Sequence, residues 1–174
     1  LHLALTSMPF SAAIVNTALE MMNEVEIKNI QKEQAWQLRH EVMWPEREPS
    51  YVQLADDDEG VHYGLFEENE LISVVSLFVH GEEAQFRKFA TKVIVQGKGY
   101  GSQLLRHMLM EAKKSGVKRI YCNARSNKVS FYEKFGLVVT DKRFTKGGKE
   151  YVIMESYFVS EGDQIEIRKG DSHV

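Results

Sequence analysis

A single cysteine, Cys122, stands among 174 residues, which excludes a disulfide within the chain and a zinc site built on cysteines. It lies in the apolar run Ile120-Tyr121-Cys122, where a buried strand thiol is a more ordinary reading than a nucleophile. A basic excess is missing too. With 22 Lys and Arg against 25 Asp and Glu the formal net charge is −3, so nothing would neutralise a nucleic-acid backbone and no nucleic-acid partner is expected. No apolar run approaches the roughly 18 residues of a membrane span, so no membrane partner is expected either. Leu1 to Met21 contain no Lys or Arg and lack the basic-then-apolar order of a secretory signal, which makes the cytoplasm the expected location. Neither repeats nor low-complexity tracts occur. The acidic run Asp56-Asp57-Asp58-Glu59 reads as a solvated loop before it reads as a cation site, and no metal is expected.

What remains is a chain 43% hydrophobic and 27% charged, enough for one soluble globular domain with a sizeable core. Its most informative stretch is Gln96-Gly97-Lys98-Gly99-Tyr100-Gly101. Before it comes Phe86-Arg87-Lys88-Phe89-Ala90-Thr91, a candidate buried strand. After it, Leu104, Leu105, Met108, Leu109 and Ala112 recur at three- and four-residue steps and predict a helix with one apolar face. Gly116 ends that helix, behind Lys113 and Lys114 in its last turn. Strand, glycine-rich loop and helix start together suit a pyrophosphate: the backbone is free of Cβ atoms, the first amides lack partners, and the dipole is positive. The pattern fits neither the P-loop nor the G-x-G-x-x-G dinucleotide fingerprint. A plain Gly-rich turn into an ordinary helix is the competing reading.

The rest of the chain alternates between strands and helices. Val25–Lys28 alternates as a strand, and a helix follows from about Lys32 to Met43, ended by Pro45, with Trp36, Leu38, Val42 and Met43 as buried candidates. Val61–Phe66 and Leu71–Val79 read as a hairpin across Glu67–Glu70, and Ala84–Thr91 leads into the glycine loop. Beyond the central helix come a strand at Arg119–Asn123, a short helix at Asn127–Phe135, and two strands, Leu137–Thr140 and Glu150–Tyr157, joined near Gly147-Gly148. The expected architecture is an α/β domain with a mixed, mostly antiparallel sheet flanked by helices. Residues 22–158 would form it, 1–21 an accessory extension, and 159–174 a tail in which Ile165-x-Ile167 is a candidate edge strand or homodimer contact.

Gln96-x-x-Gly99-x-Gly101 resembles the Q/R-x-x-G-x-G/A signature of the GNAT family of N-acetyltransferases, and Phe131-Tyr132-Glu133-Lys134-Phe135-Gly136-Leu137 resembles that family's second, tyrosine-bearing segment. The two occur in order with a helix and a strand between them, and the resemblance spans roughly Val25 to Phe158. It implies an acyl-CoA N-acyltransferase fold in which a splayed central strand pair holds acetyl-CoA as cosubstrate. It further implies acetyl transfer to a primary amine of a small molecule or a protein. A catalytically silent acyl-CoA-binding module is the alternative.

Transfer from a thioester to an amine requires the cosubstrate to be held, its carbonyl polarised, the amine deprotonated and the departing thiolate protonated. By the resemblance, Gln96, Gly97, Lys98, Gly99, Tyr100 and Gly101 cradle the pyrophosphate, with the Ser102 hydroxyl beside them. Phe89, Ala90 and Thr91 pair their backbone with the pantetheine arm, and an amide near Ala90 or Thr91 polarises the thioester. Tyr132 matches the tyrosine near the sulfur. A phenol of pKa about 10 suits protonation of a thiolate, whereas the competing role is packing on the sheet. Asn127 could cap the short helix and reach the pantetheine. Many members carry an asparagine seven residues before the tyrosine, and here that position is Arg125. For the base, Glu82, Glu83, His80, Glu41, His40 and water are all candidates.

Overall fold

The structure, a computed structural model, describes residues 25–159. The expectations for 1–21 and for most of 159–174, including Ile165-x-Ile167, fall outside the described residues. Among these residues seven strands and three α-helices follow one another: β1 (Val25–Ile30), α1 (Lys32–Met43), β2 (Val61–Glu67), β3 (Glu70–His80), β4 (Glu83–Thr91), α2 (Tyr100–Lys114), β5 (Arg119–Arg125), α3 (Val129–Glu133), β6 (Val138–Lys146) and β7 (Lys149–Tyr157). They build one sheet in the order β1-β2-β3-β4-β5-β7-β6, antiparallel throughout except where β4 meets β5. The expected fold class is the one observed. Among the described residues no helix is long and apolar enough to cross a membrane.

Local chemistry sets the hairpins. Glu68 and Asn69 both take positive φ between β2 and β3, as do Gly147 and Gly148 between β6 and β7. Paired positive φ matches the twist of the flanking strands. Helix α1 begins where the Gln31 amide donates to Gln34 Oε1 (3.0 Å).

The two helices cover opposite faces of the sheet. Leu104, Leu105, Met108 and Ala112 of α2 are fully buried against Tyr63, Leu65, Leu77, Phe86, Ile120, Cys122 and Met154. Each fully buried side chain of this kind contributes about 1.5–3 kcal/mol, enough to fix which way α2 faces. On the other face Ala35 and Leu38 of α1 pack with Ile30, Phe66, Val74 and Ala90. Helix α1 lies over β2, β3 and β4, so among the described residues no helix covers the same face of β5, β7 and β6. The buried set of α1 differs from the expected one: Ala35, Leu38 and Arg39 are buried, whereas Trp36, Val42 and Met43 are only half-buried. Arg39 enters the interior because a carboxylate is waiting there.

Candidate active site

Strands β4 and β5 pair only at Glu83↔Arg119, Ala84↔Ile120 and Gln85↔Tyr121. Beyond that point β4 keeps β3 on one side and β5 keeps β7 on the other, with no ladder between them. Among the described residues Phe86–Thr91 therefore presents an unpaired backbone edge in the middle of the sheet. Such groups demand a partner, and an extended ligand with amides of its own can supply one. A bulge sharpens the divergence. Ser76 lies opposite Arg87 but Val74 lies opposite Ala90, so β4 carries one residue more than β3 over this stretch. Lys88 takes up the excess at φ +55°. A bulge bends its strand and frees backbone groups from the ladder.

The glycine loop closes the wide end of this wedge. Gly97 and Gly99 have φ of +80° and +89°, and a Cβ on either would meet no atom within 4 Å: the space above the loop is open. Gly101 serves another purpose, since a Cβ there would lie 3.0 Å from the Phe89 ring and 3.1 Å from Thr91 Oγ1. Its absence lets α2 start hard against the end of β4. Gln96 pins the loop by donating from Nε2 to the Thr91 carbonyl (2.9 Å), and the Tyr100 hydroxyl donates to Glu67. The first helical bond runs from the Gln103 amide to the Gly99 carbonyl (3.0 Å). The amides of Tyr100, Gly101 and Ser102 precede it and are left for an anion. Lys98 is exposed beside them.

Short helix α3 follows β5 and leans back over the wedge. Tyr132 packs on Phe86 of β4 with ring centroids 5.8 Å apart, and Phe131 stacks on Phe89 at 6.0 Å. Burial, with Cys122 nearby, pushes the Tyr132 phenol well above its ordinary range, while Arg125 pulls weakly the other way. Among the described residues its hydroxyl has no hydrogen-bond partner. Tyr132 is thus a protonated donor at the wedge, on the α2 side. Cys122 is buried beneath it and its thiol is pushed up to about 12 by desolvation, which leaves it un-ionised and inert at neutral pH. Asn127 lies exposed in a 3₁₀ turn (Ser126–Lys128), and its side chain caps no helix.

Residues 26–158 match the acetyltransferase (GNAT) domain family. The chain belongs to that family. With it the chain is an acetyltransferase, and no group of three or more His, Cys, Asp or Glu side chains gathers as a metal site among the described residues. It is similar to the uncharacterized N-acetyltransferase YitI of Bacillus subtilis, 27% identical over 121 residues, 64% of this chain and 81% of that protein. Among solved structures it resembles a candidate N-acetyltransferase from Lactobacillus plantarum (TM-score 0.71, 21% identity, 79% of this chain and 100% of the other). A GNAT acetyltransferase from Elizabethkingia anophelis with acetyl-CoA bound is similar at TM-score 0.62 and 18% identity, over 77% of this chain and 98% of the other. At such identities the two structures establish the fold.

The acidic run, expected to be solvated, does structural work on the α1 face of this GNAT domain. Asp57 is 2% exposed. It accepts from Arg39 Nη1 (2.8 Å) and Nη2 (2.9 Å), from Trp36 Nε1 (2.6 Å) and from the Leu54 amide (2.8 Å). Arg39 also donates to the Val52 carbonyl and to Ser76 Oγ, and Ser76 in turn bonds His62. Asp56 pairs with Arg87 (2.8 Å) and Asp58 with Lys32. The segment between α1 and β2 is thereby nailed to the sheet as one wall of the α1-side face.

None of the candidate base side chains bonds to the open Phe86–Thr91 edge. Glu82 and Glu83 pair with Lys118 (2.6 Å) and Arg119 (3.1 Å) at the closed end of the wedge, where exposed His80 also sits. His40 Nε2 bonds the Arg47 carbonyl (2.7 Å), and Glu41 lies 3.8 Å from Lys92.

Proposed function

We propose that this GNAT domain transfers the acetyl group of acetyl-CoA to a primary amine of a small molecule or protein. The observation that carries the reading is the unpaired Phe86–Thr91 edge ending at a glycine loop and a helix start. The acetyl-CoA bound to the Elizabethkingia relative supports the same cosubstrate here. It supplies an acetyl group activated as a thioester. Gln96 to Ser102 hold its pyrophosphate through backbone amides and the Ser102 hydroxyl, with Lys98 adding charge. Phe89, Ala90 and Thr91 offer strand-type hydrogen bonds to its pantetheine amides, and a β4 amide near Ala90 or Thr91 polarises the carbonyl. Asn127, exposed after β5, remains within the proposed cosubstrate surface. Tyr132 donates its proton to sulfur as the new C–N bond forms and the C–S bond breaks, and the proton that the nitrogen sheds on becoming an amide returns through water to the Tyr132 phenol. Since none of the candidate bases bonds to the open edge, we assign the ammonium's first proton to water.

The direct test mixes the protein with acetyl-CoA and a panel of primary amines and assays free thiol. Amine-dependent thiol release is expected. Tight coenzyme binding without turnover on any amine would instead mean a silent acyl-CoA-binding module.

A further inference from the structure

The α2 face of the wedge carries the cosubstrate features, so the amine arrives from the α1 face. There the bulge residue Lys88 sits half-buried, without a hydrogen bond or salt bridge among the described residues. Of the three cations among the described residues whose charge acts on it, two are already paired. Arg39, from α1, is held by Asp57, and Arg87, on β4 itself, by Asp56. The exception is Lys146 at the end of β6, exposed and without a carboxylate partner among the described residues. Burial and then the charges of Arg39, Lys146 and Arg87 hold the Lys88 ammonium below the usual lysine range. The carboxylate that acts on it in the other direction, Asp57, has its oxygens committed to Arg39, Trp36 and Leu54. Glu150, the acid of the β6–β7 hairpin nearest this end, pairs with Thr145 and by strand alternation points to the face opposite Lys146 and Lys149. The hairpin is also tied across the cleft, because Lys149 lies 5.3 Å over the Trp44 ring at the end of α1. A half-buried lysine beside further positive charge, with no acid left to meet it among the described residues, is a site for an anion.

Resting on the acetyl-transfer reading, we propose that the acceptor carries an anionic group, a carboxylate or a phosphate, beside its amine. Lys88 in the β4 bulge receives that group, with Lys146 opposite. The bulge places the Lys88 side chain on the α1 side of the same stretch whose edge faces the pantetheine, so an anion held there sets its own amine beside the thioester. A dianionic phosphate uses both lysines; a carboxylate needs Lys88 alone.

The experiment measures thiol release with matched primary amines: α-amino acids against their carboxamides, and aminoalkyl phosphonates against plain alkylamines of equal length. At least one anionic member is expected to exceed its neutral twin in kcat/KM by roughly 10–100-fold, mainly through KM, as one charge-assisted hydrogen bond provides. The carboxylate and phosphonate arms tell the two anions apart. Lys88→Met collapses the ratio towards one, and Lys146→Met, a change at an exposed position, lowers it by a smaller factor. Equal or better rates for the neutral twins throughout, or a ratio that survives both variants, overturns the proposal. If no amine turns over, calorimetry of the anionic members on coenzyme-loaded protein decides, and absence of binding overturns it too. Failure of the wild-type protein to bind acetyl-CoA removes the transfer reading itself, and this proposal with it.

Discussion

Replacing Asp57 with alanine should be among the most damaging single changes outside the wedge. Asp57 and Arg39 are 2% and 0% exposed, so neither charge has water to fall back on. The substitution strands a buried guanidinium whose Nε already has no partner, and it also removes the acceptor for Trp36 and the Leu54 amide. Loss of one member of a buried pair costs about 3–5 kcal/mol, a large share of the roughly 5–15 kcal/mol that holds a domain together. The pair itself contributes far less than that, because both charges give up hydration to meet. Arg39→Met with Asp57→Leu should therefore recover most of the loss. Acid supplies an independent check. Burial alone would raise the Asp57 carboxyl, but the hydrogen bonds from Arg39, Leu54 and Trp36 outweigh it and hold the group below its ordinary 3.8. Its contribution to stability is complete above that value and is lost as pH falls through the lower, folded-state value. Urea melts followed by tryptophan fluorescence are well placed, since Trp36 and Trp44, the two tryptophans of the chain, lie on this side. Asp57→Ala should lower stability by about 3–5 kcal/mol at pH 7, with the gap to wild type narrowing below pH 4. A loss under about 1 kcal/mol, or a double variant as weak as the sum of the singles, would refute the reasoning.

Three further outcomes are expected. Tyr132→Phe should leave acetyl-CoA affinity nearly unchanged and lower kcat by roughly 10²–10⁴-fold, towards the low end because thiolate is a tolerable leaving group; wild-type turnover with chemistry rate-limiting would reduce Tyr132 to a packing residue. Gly99→Val should weaken coenzyme binding in a domain that still folds, because φ is +89° there while the added atoms meet open space; calorimetry with unchanged affinity would remove the loop from the site. Cys122 should resist alkylation at neutral pH until the protein is unfolded, its thiol being buried and pushed up to about 12; rapid labelling of native protein, read by mass spectrometry, would contradict that.

How well each feature could be read in the sequence follows from how local its cause is. Helix α1 spans Lys32–Met43, as its periodicity and Pro45 predict, and α2 buries the predicted Leu104, Leu105, Met108 and Ala112. The Gly147-Gly148 turn is where a hairpin needs paired positive φ. Strand β6 runs on to Lys146 rather than stopping at Thr140, because 141–146 is exposed on both faces and so carries no apolar alternation. The bulge did leave a trace: buried positions run Ala84, Phe86 and then slip phase, with Phe89 on the α2 side and Ala90 on the other. A slip of one in a period of two is what an extra residue in the strand produces.

Asp57 and Lys88 left no such trace, and their silence has a common cause. The half proposed for the cosubstrate is made of backbone: glycines at positive φ, a helix start and a strand edge unpaired among the described residues, all set by neighbours within a few residues. A short motif records such a device completely, which is why the family is legible in Gln96–Gly101 and in Phe131–Gly136. The half proposed for the acceptor is made of meetings between distant residues. Arg39 reaches Asp57 across 18 positions, Arg87 reaches Asp56 across 31, and Lys149 settles over Trp44. In the sequence Asp57 is one acid in a run of four and Lys88 one cation beside another. Only the folded sheet separates the acids that are committed from the lysine that is not. The glycine loop is thus encoded locally, and the recess proposed for the acceptor is encoded by contacts between distant residues.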